Sequence, residues 1–592
     1  MRRNPAVIML TILFLLAGIG FVRQVRAASG AMSVVPKEIY TRPKPRKPIK
    51  PTIPNENRYR TDRVFLEHAD SLIRRSVFFD SIAPQIVVGN VKFRQGNMWM
   101  FCDSAYYFAG NNSMDAFGNV RMEEGDTLFV YADKMFYNGD FREAVLEHGP
   151  TRNKVMLKDP QGTLITDTLH YDVGQGAGRY YCGGELNDGV NTLTSVYGEY
   201  LTRSHDALFC DGVELVNEKD GFRLLTDTLF YNTSTHIARI VSPTRIFGRN
   251  DTVYTSSGWY NTLNDSLELT SRSTIIHNDS TGRVTTLVGD SIIYDHKSRT
   301  SRAYSFAAHD KISRPVVLTD TARKAVLYGG MCYYNDSTRT AYAANYPLLI
   351  EYSRPDSLFL RADTVWSFVR NDIKAPTDST PGYNKEYHLA RAEGKSRFFN
   401  VDVQGVADTI IFSELDSLLH LVRKPVVWSD NRQITGGKII VHLNDSTADW
   451  ADLPEEGLMV ERVEDDFYNQ LTGKKIHAIF EDGSLSNMRV EGNVMTIFLP
   501  MEDDSTYNRL VYAEAPNLDV EMDKKEMKKL KMWEEVSGDV TPLFLVKNDK
   551  KFLRNFVWLE AIRPRREWYG DRFRWEDELG EVPDELINYF GQ

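Results

Sequence analysis

Cysteine is scarce in this chain: Cys102, Cys182, Cys210 and Cys332 are the only four among 592 residues, far apart and without a CxxC pair. That spacing argues against a zinc site. In an oxidising compartment the four allow two disulfides in any of three pairings, and as small apolar residues on strands they need no pairing at all. An excess of basic charge is also missing. With 71 Lys and Arg against 81 Asp and Glu, the formal net charge is −10, the opposite of the basic footprint that nucleic-acid binding leaves. No Walker A phrase GxxxxGK[ST] and no HExxH phrase occurs, so neither signature points to a nucleotide or zinc-protease site. Past the N-terminus no run is apolar enough to span a bilayer, which takes about 20 residues.

At the N-terminus, Arg2 and Arg3 precede an uncharged run from Asn4 to Val22, followed by Arg23 and a Val25-x-Ala27 site. Residues 1–28 therefore have the layout of a secretory signal peptide. Left uncleaved, residues 4–22 would anchor the chain in the inner membrane. Residues 29–60 include "PKEIYTRPKPRKPIKPTIPNENR", a Pro- and Lys/Arg-rich stretch that reads as an extended tether. Such a basic stretch beside an apolar terminus also suits anionic headgroups.

What is abundant is a repeated phrase. "TDTLHYD" at 166–172 returns as "TDTLFYN" at 226–232. Alignment on Asp-x-x-x-Tyr gives Asp103/Tyr107, Asp133/Tyr137, Asp167/Tyr171, Asp227/Tyr231 and Asp290/Tyr294. Degenerate copies end at Leu201, Tyr260 and Tyr334, for a period of roughly thirty residues. The residues two and four after each Asp are apolar (Met135 and Tyr137, Leu169 and Tyr171, Leu229 and Tyr231, Ile292 and Tyr294), whereas the one directly after it is polar. This alternation marks a half-buried strand. Ahead of the Asp both parities are apolar, as in "TLFVYA" at 127–132; the inward face is open there, and a bulge or corner at the Asp is one way to switch it. A turn signal and a second strand-like run follow each copy. One such strand pair cannot bury its own apolar face, so stacked neighbours must share an interior.

The repeats run over 61–370. A polar stretch at 371–387 reads as a linker, and the same grammar resumes over 388–520 in "ADTIIF", "TGGKIIVHLNDST" and "TGKKIHAIFEDGS". Residues 521–592, with "DKKEMKKLKMWEEV" and "WEDELGEVPDELINYF", read as a charged, partly helical tail.

The phrases "GNVKFRQGNMWMFCDSAYYF" at 89–108, the recurrent DTL-x-Y strands and "GKKIHAIFEDGSLSNMRVEGNV" together resemble the OstA-like family, the periplasmic lipopolysaccharide-transport proteins of LptA type; the long tandem form is similar to members found in Bacteroidetes. The resemblance implies an all-β, antiparallel jellyroll folded into a V-shaped trough, in two modules here. It implies a non-enzymatic periplasmic protein, without cofactor, metal or catalytic residue, that holds the acyl chains of lipopolysaccharide and associates end to end with other jellyroll transport proteins. Candidate lipid-lining residues are Tyr107, Met135, Tyr137, Leu169, Tyr171, Leu229, Tyr231, Tyr260, Ile292 and Tyr294. The alternative is a structural or adhesive β-repeat protein of the cell envelope that binds polysaccharide, with the tyrosines filling a closed core. The repeated aspartates read as turn or corner caps rather than calcium ligands, which cluster within a few residues.

Overall fold

The structure, a computed structural model, describes residues 63–591 apart from 75–83, 279–281, 283, 307–313, 323, 336, 353–356, 375–382, 444–447, 465, 482–483, 503–505, 524–525 and 566–583. The expected signal segment and tether lie outside the described residues. Nearly all of the described chain is antiparallel strand, with one short helix, Asp584–Gly591, near the C-terminus. The fold class expected from the sequence is thus present. Among the described residues no helix is long and apolar enough to cross a membrane. The chain divides into two units, one ending at Ile275 but including Asp295–Lys297, the other made of Ile276–Tyr294 and the chain from Ser298 onward. That division falls inside a repeat rather than at 371–387.

In the first unit the repeated aspartate sits at a corner. The strand Phe222–Asn232 pairs with Asp206–Asn217 along its whole length, but the register shifts between Cys210 and Val213, opposite Asp227. Beyond that neighbour its two halves part company: Leu229–Asn232 pairs with Ile237–Ile240, and Arg223–Thr226 with Thr244–Phe247. Each bent strand therefore contributes one half to each of two legs of a folded sheet. Burial changes parity at the bend. Phe222, Leu224 and Thr226 are buried before Asp227, and Leu229 and Tyr231 after it; Leu128, Val130 and Ala132 precede Asp133 in the same way, and Met135 and Tyr137 follow. One residue inserted at the corner turns both halves of the strand toward the same interior.

The corner has its own chemistry. Gly118 and Asn119, opposite Asp103, both take positive φ, +77° and +43°, a conformation glycine and asparagine tolerate best. Asn119 Nδ2 donates to Asp103 Oδ2 at 2.9 Å, and Asn90 Nδ2 donates to Asp70 Oδ2 at 3.0 Å at the preceding corner. Asp133 accepts the backbone N–H groups of Thr151 and Arg152, both at 2.8 Å. The aspartates cap strand corners, as hydrogen-bond acceptors for a neighbouring chain segment. The turns after Tyr137, Tyr231 and Tyr260 are closed by the next residue: Asn138 Oδ1 accepts from the N–H groups of Asp140 and Phe141, Asn232 Oδ1 from Ser234 and Thr235, Asn261 Oδ1 from Leu263 and Asn264.

The second unit uses the same bend at Glu393/Ser396 and Glu491/Val494. Two segments differ from the sequence expectation. Residues 371–374 and 383–387, expected as linker, end the strands Thr364–Lys374 and Tyr383–Phe399, which stay in register out to Lys374↔Tyr383; a ladder is made by backbone groups and tolerates polar side chains on an exposed hairpin. Glu526–Trp533, expected within a helical tail, is a strand paired with Asn517–Asp523. There Leu530 and Met532 alternate with Lys529 and Lys531, and lysine-rich strands are a usual way to finish a sheet edge.

Candidate functional site

At the open end of the two legs in the first unit runs a row of tyrosines. Following the ladder across strands, Tyr137, Ala144, Tyr171, Gly178, Tyr200, Ala207, Tyr231, Ala238 and Tyr260 are neighbours in that order. A tyrosine stands on every second strand, and the alanine or glycine between leaves room for the rings. The hydroxyls of the first four tyrosines reach the tips of the opposite leg. Tyr200 donates to Asp159 Oδ2 at 2.6 Å and Tyr171 to Glu124 Oε2 at 3.3 Å, Tyr137 donates to Gln95 and Tyr231 to Asp188. Asp188 Oδ1 in turn accepts the N–H groups of Val190 and Asn191 in its own turn. These bonds clasp the mouth between the legs.

Behind the clasp the interior is full. Val130, Leu157, Leu164, Leu186, Leu193, Leu215 and Leu224 form one continuous row on the inner face of the lower leg, the one that takes the strand halves ahead of Asp133, Asp167 and Asp227, and none is more than 1 % exposed. Of the ten residues expected to line a lipid trough, Met135, Tyr137, Leu169, Tyr171, Leu229, Tyr231, Tyr260, Ile292 and Tyr294 are buried and Tyr107 is half-buried, its hydroxyl bonded to the Val64 carbonyl at 2.8 Å. In this conformation nine of them are core, and the hydroxyls of Tyr137, Tyr171 and Tyr231 are engaged at the mouth.

Burial pushes the phenols of Tyr171, Tyr200 and Tyr231 well above the ordinary tyrosine range, reinforced by the carboxylates they face. Asp188 is also pushed upward by burial, but the hydrogen bonds from His236, Tyr231 and the backbone of Asn191 and Val190 outweigh it and hold the carboxyl below its usual value. His236 Nδ1 lies 3.0 Å from Asp188 Oδ2.

In the second unit the same inner row begins sealed, through Leu287, Leu318, Leu327, Leu349 and Leu360, and changes state in its later stretch. Gly405, three residues before the corner at Asp408, neighbours Val427, then Ile434, Met459, Leu471 and Thr496. A Cβ added at Gly457, on the same face as Met459, would come 2.6 Å from Ile476 Cδ1, which fixes this face as the inner one. Across from it lie Leu421, Leu453, Ile476 and Val490, all buried. Val427, Ile434, Met459 and Leu471, however, are only half-buried. Along this later stretch the clasp positions carry no hydroxyl: the row is Phe412, Leu419, Val441, Ala451, Ala478 and Met488. An apolar strip thus stays accessible across four strands, roughly 15 Å at the usual strand spacing. Sequence reading missed this strip because it lies ahead of the corner, where parity was open. It also missed Tyr200, because the copy "YGEYL" aligns on Leu201 when the Asp is absent.

Residues 61–227 match the family model described as OstA-like protein. The matched stretch holds the corners from Asp70 to Asp167 and the clasping tyrosines up to Tyr200, so this part of the chain is similar to an OstA-like domain. No curated protein matches the chain.

Proposed function

We propose that this protein is a non-enzymatic, periplasmic component of lipopolysaccharide export that holds acyl chains on the inner face of its folded sheet. One observation carries the reading: the row that is sealed as Val130 to Leu224 in the first unit is apolar and half-open as Val427, Ile434, Met459 and Leu471 in the later stretch of the second. Burying acyl methylenes against that strip gains about 0.8 kcal/mol each, which suits transfer between similar surfaces better than irreversible capture. In the first unit, Tyr137, Tyr171 and Tyr231 would meet lipid only after their clasps part, and each clasp then gives up a hydrogen bond worth about 1 kcal/mol. The partners on this reading are lipid A acyl chains and other jellyroll transport proteins, and the matched OstA-like stretch supports both. A periplasmic location rests on the N-terminal run Asn4–Val22 and on the family resemblance. An environment-sensitive fluorophore placed at Met459 in the purified protein tests the proposal: added lipopolysaccharide should shift its emission toward that of an apolar medium, and de-acylated lipopolysaccharide should not. Equal shifts with both would favour the polysaccharide-binding alternative.

A further inference from the structure

The later strands of the second unit's lower leg, half-open on their inner face, are covered on their outer face by a segment of the chain. That outer face presents a row that crosses seven strands: Gln404, Trp428, Gln433, Val460, Gln470, Ile497 and Tyr512 are ladder neighbours in that order. Over this row lies the C-terminal segment Lys551–Arg563. Gln470 Nε2 donates to the Lys551 carbonyl and its Oε1 accepts the N–H of Leu553, each at 2.8 Å. Gln433 repeats the pattern six residues on, donating to the Val557 carbonyl at 2.8 Å and accepting from the Leu559 N–H at 2.7 Å. Gln404 Oε1 accepts from the Arg563 guanidinium at 2.8 and 2.7 Å. Leu553 is buried with Ile497 and Leu510, and Ile562 with Val406, Val426 and Trp428.

A glutamine amide that donates to the carbonyl of one residue and accepts from the N–H two residues on offers a peptide what a neighbouring β-strand would. Here it does so from a side chain, so the segment adds no strand to the ladder and the sheet beneath is complete without it. The readers are also held from below: Trp428 Nε1 donates to Gln433 Oε1 at 3.2 Å, and Gln404 Nε2 donates to the carbonyls of Asn400 and Val401. A groove whose polar groups are already oriented loses little freedom on binding.

We propose that this outer face is a binding groove for an extended peptide, read through its main chain by Gln433 and Gln470 and at an arginine side chain by Gln404, and that the protein's own Lys551–Arg563 occupies it as a separable ligand. The proposal does not depend on lipid carriage, since groove and lipid strip lie on opposite faces of the same strands. It is tested in the full-length protein with a protease site inserted after Leu545, beside the 84 % exposed Phe544. After cleavage the body should keep its strand signal in circular dichroism, and the released fragment 546–592 should exchange with a fluorescent copy in a saturable manner. Gln433→Ala and Gln470→Ala should each weaken that binding roughly tenfold, whereas Gln161→Ala, in the first unit, should leave it unchanged. A fragment that leaves only when the body unfolds, a labelled copy that does not bind, or binding indifferent to both glutamines would overturn the proposal.

Discussion

Tyr231 donates its hydroxyl to Asp188, 43 residues earlier and at the tip of the opposite leg. The bond ties the free end of one half-sheet to the turn of the other. Tyr231→Phe keeps the ring but leaves a buried carboxylate short of a donor, at a cost of about 1–3 kcal/mol. Tyr260→Phe should cost less, because that hydroxyl bonds Asp265 only five residues away. Melting of the two variants measures the difference.

Titration bears on the same clasps. The raised phenols of Tyr171, Tyr200 and Tyr231 give stability that is complete below the unfolded tyrosine value near 10 and is lost as pH climbs beyond it. The lowered Asp188 gives stability that is present above the unfolded carboxylate value near 4 and is lost as pH falls through the folded one. Unfolding midpoints should therefore drop on both sides of neutrality. Tyr231→Phe should blunt the alkaline fall, and Asp188→Asn the acid one.

The corners make a third expectation. At Gly118 φ is +77° and an added Cβ would stand 2.4 Å from Asp103 Oδ2, so Gly118→Ala should destabilise by more than about 1 kcal/mol. Asp103→Ala removes the nearest obstacle, the carboxylate, along with the bond from Asn119, leaving its own Cβ 3.0 Å away. The double variant should then lose less than the sum of the two single losses, as read from denaturant midpoints.

Much of the fold was legible in the sequence. Asp-x-x-x-Tyr gave the register, and the apolar positions two and four after the Asp are the buried ones in Met98–Phe108 through Phe222–Asn232, with Tyr107 only half-buried. The half of each strand before the Asp was not legible, because a corner shifts parity by one and a plain two-residue period cannot span it. Glu526–Trp533 misled because its Lys and Glu residues suit an exposed helix as well as an edge strand. The strap at 551–563 shows neither helical nor strand periodicity, since Gln433 and Gln470, its readers, lie far away in sequence. Burial of the tyrosines, too, was invisible: a column of aromatic residues reads alike whether it faces lipid or lies packed beneath a clasp.

If acyl chains rest on the second unit's strip, a charge placed there should expel them while leaving the fold intact. Met459→Glu puts a carboxylate on a half-buried site, and at the outer-face position His477 the same residue should be neutral. Lipopolysaccharide binding by the purified variants should fall at least roughly tenfold for the first, in line with losing the burial of two or more methylenes, and stay level for the second.

The most direct measurement places a photo-crosslinking residue in turn at Met459, Leu471, Leu215 and His477 of the protein in cells and probes each for lipopolysaccharide adducts. The account expects adducts at Met459 and Leu471, fewer at Leu215 behind the clasped mouth, and none at His477 on the outer face. Adducts confined to His477, or absent from both inner-strip positions, would contradict it.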